Sequence, residues 1–468
     1  MPSLKEELLD VLNFEVKDLP VFSSLEDELV VVGLDIDGLI FNHRYLTPYR
    51  PPYEEKIRKE IQNFHSPEYL EAHKLHIQES ADCLIKKIKK IIDKKEAKVI
   101  CASTRQGPGT DFGNAIKIDE NLGKIKTDSC VVALTSIVEK LKIDGHGVEL
   151  DTYLLADTNQ DGETFLSISR ETQNYNEKYQ VKSAEKEPNY FKEKFNILYA
   201  HVHRLAVENP NKKISYHFLD DREDIIVQLS HYYNEYPQLI PKNVSVTLHL
   251  YHDDRYESFE KFDPIEGSGV VDPDYKRTFQ NFTKYSVRNS TDLAENRKNT
   301  TEILLQQVKL QFEFYTKLLN DKILSLKNTE NFDQKDLIDK LEALRDHAVK
   351  IKHEAPARSL KLLKLGTQVV LYAEKCIENK FKTTVARINQ RQIVTETLKK
   401  AAENFGHRKW TFLRSIAEFL LTTILPLGIL IRIGNKICHN QFTIFAPSKS
   451  SRHAVELGES AKKTFTAG

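Results

Sequence analysis

Two acidic residues follow directly after an apolar segment near the start of the chain. Val30 to Leu34 form an uninterrupted apolar run, Asp35 and Asp37 come next, and Gly38 permits a sharp turn behind them. Because side chains alternate along an extended chain, Asp35 and Asp37 point to the same side. Two carboxylates held this close need a divalent cation, a shared proton or a positive partner. The spacing therefore indicates phosphoryl chemistry at the end of a buried strand.

Two later apolar segments also end in residues that bind phosphate or metal. Ser103 follows the segment 98–102, and Asp220 and Asp221 close the segment 214–219. Each feature has a plainer explanation when taken alone: serine commonly caps a helix, and acids favour the first turn of a helix because they face its dipole. Their order along the chain is what raises them above chance.

In this order the three segments resemble signature motifs of the haloacid dehalogenase (HAD) superfamily. The resemblance covers about 190 residues, each motif lying at the end of an apolar strand: motif I at Asp35-Ile36-Asp37, motif II at Ser103-Thr104-Arg105, and motif IV at Asp220, Asp221 and Asp224. It implies an α/β fold with a doubly wound parallel sheet and a lid or cap insertion. It also implies a Mg²⁺-dependent phosphatase that works through an aspartyl-phosphate.

The resemblance further implies a role for each of these side chains. Asp35 attacks phosphorus, and Asp37 protonates the leaving oxygen and then activates water. Ser103 and one of Lys192 or Lys194 stabilise the phosphoryl oxygens. The implied Mg²⁺ ligands are Asp35, Asp37, Asp220, Asp221 and Asp224.

Two assignments stay open at this level. Motif III is a lysine near the start of the helix before motif IV; the candidates are Lys186, Lys192 and Lys194, and we favour Lys192 or Lys194. A rival for motif IV, Asp253 and Asp254, follows the apolar run 246–250. We prefer the pair that begins at Asp220, because a lysine-bearing helix precedes it and an apolar helix follows at once.

Composition excludes several classes of protein. The 468 residues predict two or three domains, and 40% hydrophobic content supports a proper core. Lysine plus arginine equals aspartate plus glutamate at 68 each, so no global basic field favours nucleic acid as a partner. The five cysteines form no CxxC pair, which favours reduced thiols. Residues 1–10 do not resemble a secretory signal peptide, so we expect synthesis in the cytosol, with secretion by another route left open.

The texture of the sequence changes along the chain. Apolar runs predict strands near 29–34, 98–102, 213–219 and 244–251, with helices between them. From about 299 to 404 the pattern is that of an amphipathic helical bundle. We divide the chain into a leader (1–28), a HAD-like catalytic domain (29–270) with an insertion at about 106–185, a helical bundle (290–405), a hydrophobic tail segment (406–440) and a loose C-terminus (441–468).

The tail segment contains the most apolar run of the chain. Residues 419–431 carry no charge, but the run is shorter than the roughly 20 residues that a spanning helix needs, and Pro426 and Gly428 interrupt it. Either it is a buried helix of the bundle, or the region 405–440 contacts a membrane surface. The oligomeric state cannot be predicted.

The arrangement of enzyme, charged helical region and hydrophobic tail is similar to that of secreted effectors of intracellular bacteria such as Legionella. That similarity favours a host phosphoprotein as the phosphorylated substrate. The alternative is a non-enzymatic helical adaptor or membrane tether on a degenerate HAD fold.

Overall fold

Apolar runs become the strands of a mixed but mostly parallel sheet. In the computed structural model the strands are β1 (Glu28–Leu34), β2 (Glu96–Cys101), β3 (Ile116–Asp119), β4 (Gly123–Lys126), β5 (Val148–Asp151), β6 (Lys213–Asp220), β7 (Val244–His252), β8 (Ser258–Lys261) and β9 (Ile265–Glu266). The described residues are 3–16, 27–46, 67–93, 95–114, 116–119, 123–126, 129–157, 160–171, 194–253, 257–283, 293–328 and 335–377.

Helices connect and flank these strands. Within the described ranges they are α1 (Leu4–Leu12), α2 (His43–Leu46), α3 (Pro67–Ser80), α4 (Asp82–Ile92), α5 (Pro108–Asn114), α6 (Cys130–Ile143), α7 (Glu163–Glu171), α8 (Lys194–Glu208), α9 (Glu223–Glu235), α10 (Tyr275–Thr283), α11 (Leu293–Lys327), α12 (Lys335–Ile351) and α13 (Pro356–Ile377). The described parts of residues 1–12 and 21–310 form one unit, and those of 13–20 and 311–468 form a second.

The main sheet of the first unit has seven strands. Its order is β5-β2-β1-β6-β7-β8, with β9 also paired to β7. The strands β5, β2, β1, β6 and β7 are mutually parallel, whereas β8 and β9 run antiparallel to β7. The four strands predicted from the sequence are therefore confirmed, and they are the four central ones. The protein is an α/β protein with a mostly parallel sheet.

Strand register brings three carboxyl ends to one edge of the sheet. Leu34 at the end of β1 pairs with Cys101 of β2 on one side and with Leu219 of β6 on the other. The backbone N–H of Asp35 donates to the Leu219 carbonyl at 3.0 Å, and the N–H of Ala102 donates to the Leu34 carbonyl at 2.8 Å. The residues that follow β1, β2 and β6 consequently emerge side by side, where ligands bind in open parallel sheets.

Helices cover both faces of this sheet. Val30, Val32 and Leu34 share one core cluster with the apolar faces of α4 and α6. On the opposite face the hydroxyl of Tyr216 in β6 lies 2.7 Å from Nδ1 of His201 in α8. This double coverage buries both faces of β1, which explains why its apolar run is continuous, whereas β6 and β7 alternate apolar with polar residues.

The predicted insertion at about 106–185 is only partly an insertion. Helix α6 buries Ala133, Leu134 and Ile137 in the core cluster, and β5 extends the main sheet beside β2. Residues 130–151 are therefore an ordinary crossover and strand. The separate part among the described residues is the antiparallel hairpin β3–β4. Strand β5 was not predicted because Val148-Glu149-Leu150-Asp151 is short and alternates in polarity.

The predicted leader contributes a docked helix. Leu8, Val11 and Leu12 of α1 are buried, and the ammonium of Lys5 lies 3.3 Å from Oε1 of Glu235 at the end of α9. The buried residues Leu8, Val11 and Leu12 thus form one face of a helix that packs on the first unit.

Residues 311–328 and 335–377 of the second unit are helical apart from a few turn residues. The apolar stripe predicted for this region is buried at Tyr315, Leu319 and Ile323 of α11 and at Leu341 and Leu344 of α12, as expected of an intramolecular core. Among the described residues no helix is both long and apolar enough to cross a bilayer. The predicted tail segment 406–440 and the C-terminus 441–468 lie outside the described residues.

Candidate active site

Three acids converge where β1 and β6 end. Asp35, Asp220 and Asp221 each offer a carboxylate oxygen, and these oxygens all lie within 4.8 Å of one another. The side chain of Asp35 is 8% exposed and that of Asp220 is fully buried. Carboxylate oxygens grouped in this way are the ligand type that hard divalent cations bind. We refer to these three residues as the acidic triad.

Lys194 provides a cation for the acidic triad. Its ammonium lies 2.8 Å from Oδ1 of Asp35 and 2.9 Å from Oδ2 of Asp220, and it donates to the carbonyl of Ala102 at 2.9 Å. Burial acts to lower the pKa of Lys194, but the charges of Asp35 and Asp220 outweigh it and raise that pKa above its ordinary value. Lys194 is therefore a fixed positive charge at the carboxyl ends of β1, β2 and β6.

One lysine does not fully compensate three acids. Burial and the charges of Asp35 and Asp220 raise the pKa of Asp221 to about 7. Burial, followed by the charge of Asp35, also raises the pKa of Asp220, although Lys194 opposes the shift. Ionising the whole acidic triad is thus costly without a further positive charge, which a divalent cation would supply.

Two buried polar atoms at this edge of the sheet have no hydrogen-bond partner within the described structure. They are Oγ of Ser103, whose residue is 1% exposed, and Oδ1 of Asp221. A buried hydroxyl without a partner is costly, so it usually marks a place for water, an ion or a ligand. The carboxylate oxygens present fit a divalent cation.

Hydrogen bonds from the side chain of Gln106 stabilise the loop that carries Ser103. Its side-chain amide donates to the carbonyl of Ser103 at 2.6 Å and to that of Cys101 at 3.0 Å, while its oxygen accepts from the N–H of Leu155 at 3.0 Å. These hydrogen bonds connect the turn after β2 to the segment that follows β5. Ser103 is therefore positioned by long-range contacts rather than by its own strand alone.

Gly38 lets the loop after β1 pass close to Asp221. Its φ is +85°, in the left-handed region that favours glycine, and a Cβ at this position would overlap the carboxylate of Asp221. The close approach of the Asp37–Gly38 backbone helps to confine Asp221 beside Asp35.

The structure places Asp37 apart from the acidic triad. Its Oδ1 accepts from Nη2 of Arg105 at 2.7 Å, and its Oδ2 accepts from Nε at 3.2 Å. Nη1 of Arg105 lies 3.3 Å from Oδ1 of Asp111. The prediction that Asp37 shares the metal with Asp35 thus finds no counterpart in this geometry, because a guanidinium binds its carboxylate instead.

Asp224 and Asp253 are placed elsewhere too. The side chain of Asp224 is 56% exposed and pairs with Nη2 of Arg222 at 2.6 Å, so the predicted metal ligand is a surface residue at the start of α9. Oδ2 of Asp253 accepts from the N–H of His43 at 2.6 Å at the start of α2. Asp254 and Lys192 lie outside the described residues. Of the acids considered for motif IV, Asp220 and Asp221 are the ones that group with Asp35 among the described residues.

Sequence reasoning did not assign Arg105, Asp111 or Gln106 to the site. In the sequence, Arg105 stands out only as the last residue of Ser103-Thr104-Arg105. Its charge is the one feature that could have indicated a role in the site. Its partners could not be foreseen, because Asp111 comes from α5 and Asp37 from another strand. Arg105 is fully buried, which a sequence rarely reveals for an arginine.

Comparisons with known proteins found no match to a family model, to a curated protein or to a solved structure. The functional argument therefore depends on the site itself.

Proposed function

We propose that this protein is a Mg²⁺-dependent phosphohydrolase. The observation that carries the proposal is the meeting of the acidic triad with Lys194 and the unpartnered hydroxyl of Ser103 at one edge of a parallel sheet. A carboxylate nucleophile, a cation site and two donors for phosphoryl oxygens are the parts that phosphate ester hydrolysis requires.

Asp35 is the proposed nucleophile. One carboxylate oxygen of Asp35 forms a bond to phosphorus while the bond from phosphorus to the ester oxygen breaks, which leaves an aspartyl-phosphate and an alcohol or phenol. Water then attacks phosphorus, releases inorganic phosphate and regenerates the carboxylate. Lys194 and Ser103 stabilise the charge on the phosphoryl oxygens in both steps. Mg²⁺ held by Asp35, Asp220 and Asp221 would supply further charge stabilisation.

Asp37 is the proposed proton donor and acceptor for these steps. In the described geometry both of its oxygens accept hydrogen bonds from Arg105. To carry a proton to the leaving oxygen, Asp37 has to give up at least one of these two bonds. Asp111 remains as a partner that can hold Arg105 in place when that happens.

The test compares two Asp→Asn substitutions in the full-length protein. Phosphate release from an aryl phosphate is measured with Mg²⁺ and with a chelator. Asp35→Asn should reduce turnover by at least about 1,000-fold, because an amide cannot act as the nucleophile. Asp224→Asn is the matched control and should keep turnover close to wild type, since Asp224 is exposed and paired with Arg222. Full activity in Asp35→Asn would eliminate the proposed mechanism.

The substrate and location are proposed only from the arrangement of the charged helical region and the hydrophobic tail in the sequence. A phosphoprotein is the favoured substrate class, and the charged helical region with its hydrophobic tail supports a secreted protein that contacts a membrane surface through residues 405–440. If the wild type hydrolysed nothing in a broad panel of phosphate esters, the non-enzymatic adaptor would become the better explanation.

A further inference from the structure

The two acids after β1 have different positive partners. Oδ1 of Asp35 lies 2.8 Å from the ammonium of Lys194, whereas both oxygens of Asp37 accept from the guanidinium of Arg105 at 2.7 and 3.2 Å. Two acids placed two residues apart would otherwise compete for one cation. The fold resolves that competition by supplying each acid with its own counter-charge.

Arg105 is built into the molecule as a rigid support. Its side chain is fully buried, its Nη1 lies 3.3 Å from Oδ1 of Asp111, and its guanidinium carbon lies 5.4 Å from the ring centroid of Phe41. Asp111 is itself fixed, since its Oδ1 accepts from the N–H of Cys130 at 2.9 Å. A planar guanidinium held on two sides presents a fork of fixed direction to a carboxylate.

The loop geometry shows why such a support matters. Gly38 passes so close to Asp221 that a Cβ there would overlap the carboxylate of Asp221. The backbone after Asp37 therefore runs beside the acidic triad, and a carboxylate released at this position has a cation site within its neighbourhood. An extra carboxylate ligand strengthens cation binding and changes the charge that a substrate phosphate meets.

We propose that Arg105 is a positioning residue that withholds Asp37 from the acidic triad, so that only Asp35 of the two acids serves the metal. This inference depends on the proposed function for its significance, but its test is Mg²⁺ binding, which can be measured without turnover. Arg105 thus separates the acid that binds metal and phosphorus from the acid that handles protons.

The experiment measures the Mg²⁺ dissociation constant of the full-length protein by calorimetry. Arg105→Gln should tighten Mg²⁺ binding roughly tenfold, because the freed carboxylate of Asp37 joins the cation. It should also lose turnover. Adding Asp37→Asn to Arg105→Gln should return the dissociation constant to within about twofold of wild type. Asp37→Asn alone should likewise leave Mg²⁺ affinity within about twofold, whereas Asp221→Asn weakens it.

The matched control is Arg204→Gln. Arg204 is also a buried arginine that is paired with a buried carboxylate, Asp151, but this pair lies between α8 and β5. Loss of a buried ion pair should lower the thermal midpoint in both arginine variants, whereas only Arg105→Gln should change Mg²⁺ affinity.

The possible failures can be told apart. Unchanged Mg²⁺ affinity in a folded Arg105→Gln variant would overturn the positioning role and leave the phosphatase proposal standing. If that variant does not fold, Asp37→Asn decides: a loss of Mg²⁺ affinity as large as that of Asp221→Asn would show that Asp37 is a ligand. Tight Mg²⁺ binding with the expected shifts, but without any turnover, would support the role of Arg105 and reject the phosphatase.

Discussion

Lys194 is the residue on which the acidic triad depends most directly. Its ammonium lies within 3 Å of a carboxylate oxygen on both Asp35 and Asp220, in a site that excludes most solvent. Removing one partner of a buried ion pair leaves an uncompensated charge, which costs about 3 to 5 kcal/mol. The stability of the protein without metal should therefore depend on this single side chain.

We expect Lys194→Met to lower the free energy of unfolding by about 3 kcal/mol in the presence of a chelator, and by clearly less in Mg²⁺, because the metal replaces part of the missing positive charge. Urea unfolding under both conditions measures the difference. The comparison variant is Lys192→Met, since the sequence left both lysines open. An equal loss of stability in that variant would contradict the assignment of Lys194.

Asp221 should make stability depend on pH. The pKa of its carboxyl is raised from 3.8 to about 7 in the folded protein, so the folded state holds the proton more tightly than the unfolded chain does. The contribution of Asp221 to stability is therefore complete below its unfolded pKa and is lost as pH rises towards about 7. This change of stability with pH is opposite in direction to that caused by an acid in a surface ion pair, whose contribution is lost as pH falls.

The change can be isolated by comparison with Asp221→Asn. In a chelator, the unfolding free energy of the wild type minus that of the variant should fall by about 2 kcal/mol between roughly pH 4.5 and 7.5, after a discount for the solvent-accessible part of the side chain. Mg²⁺ should reduce the fall. A difference that stays flat across this pH range would show that the acidic triad does not share charge as described.

At the level of elements, the strand–loop junction after β1 sets the geometry of the site. Gly38 is needed there for two separate reasons: its φ is +85°, and a Cβ would overlap the carboxylate of Asp221. Gly145 has the same φ of +85°, yet nothing lies within 4 Å of its Cβ position. A comparison of substitutions at Gly38 and Gly145 therefore distinguishes the effect of backbone strain from the effect of crowding.

Gly145→Ala should cost about 1 kcal/mol of stability, the usual cost of a side chain in the left-handed region, and should leave Mg²⁺ affinity unchanged. Gly38→Ala should cost more and should weaken Mg²⁺ binding, because Asp221 must move. Thermal unfolding and calorimetric titration of both variants test this. Equal effects of the two substitutions on Mg²⁺ affinity would show that crowding at Asp221 is unimportant.

The elements that the sequence predicted best are those whose periodicity reflects burial alone. Strand β1 is buried between helix layers and its apolar run is correspondingly continuous, while β6 and β7 carry an apolar residue at every second position. The edge strand β5 was missed because half of its four side chains are polar, and the predicted cap over about 106–185 followed from that omission. The β3–β4 hairpin lies in the same stretch and was missed as well.

The site was predictable only where it follows strand ends. Asp35, Ser103, Asp220 and Asp221 follow the ends of β1, β2 and β6, and the parallel topology brings these ends together. Asp37 and Asp224 were placed with them because the family resemblance implies it. Their true partners are arginines, and such pairings depend on loop conformations that no local pattern specifies.

At the scale of the whole molecule, the boundary between the two units falls inside α11. The hydroxyl of Tyr232 in α9 lies 3.2 Å from that of Thr300, and both residues belong to the first unit, which extends to residue 310. The boundary predicted near residue 270 is too early. It would also remove α10, which packs against α8 and buries Phe279.

A chain ending at residue 310 should therefore unfold cooperatively at a midpoint at least about 5 °C above that of a chain ending at residue 270, and it should retain Mg²⁺ binding. Calorimetry of the two truncations measures both quantities. Identical midpoints would show that the first half of α11 contributes nothing to the unit that carries the acidic triad.

Under the proposed function, the ammonium of Lys194 also matches the site to the valence of the cation. Three ionised carboxylates and one ammonium leave two negative charges, which one divalent ion neutralises. With a monovalent ion the centre would stay negative and repel a phosphate dianion, and with a trivalent ion it would become positive and retain the inorganic phosphate it had produced. We therefore expect lanthanides to slow product release even when they fit the ligands, so that the valence of the ion matters as much as its radius for whether phosphate can both arrive and leave.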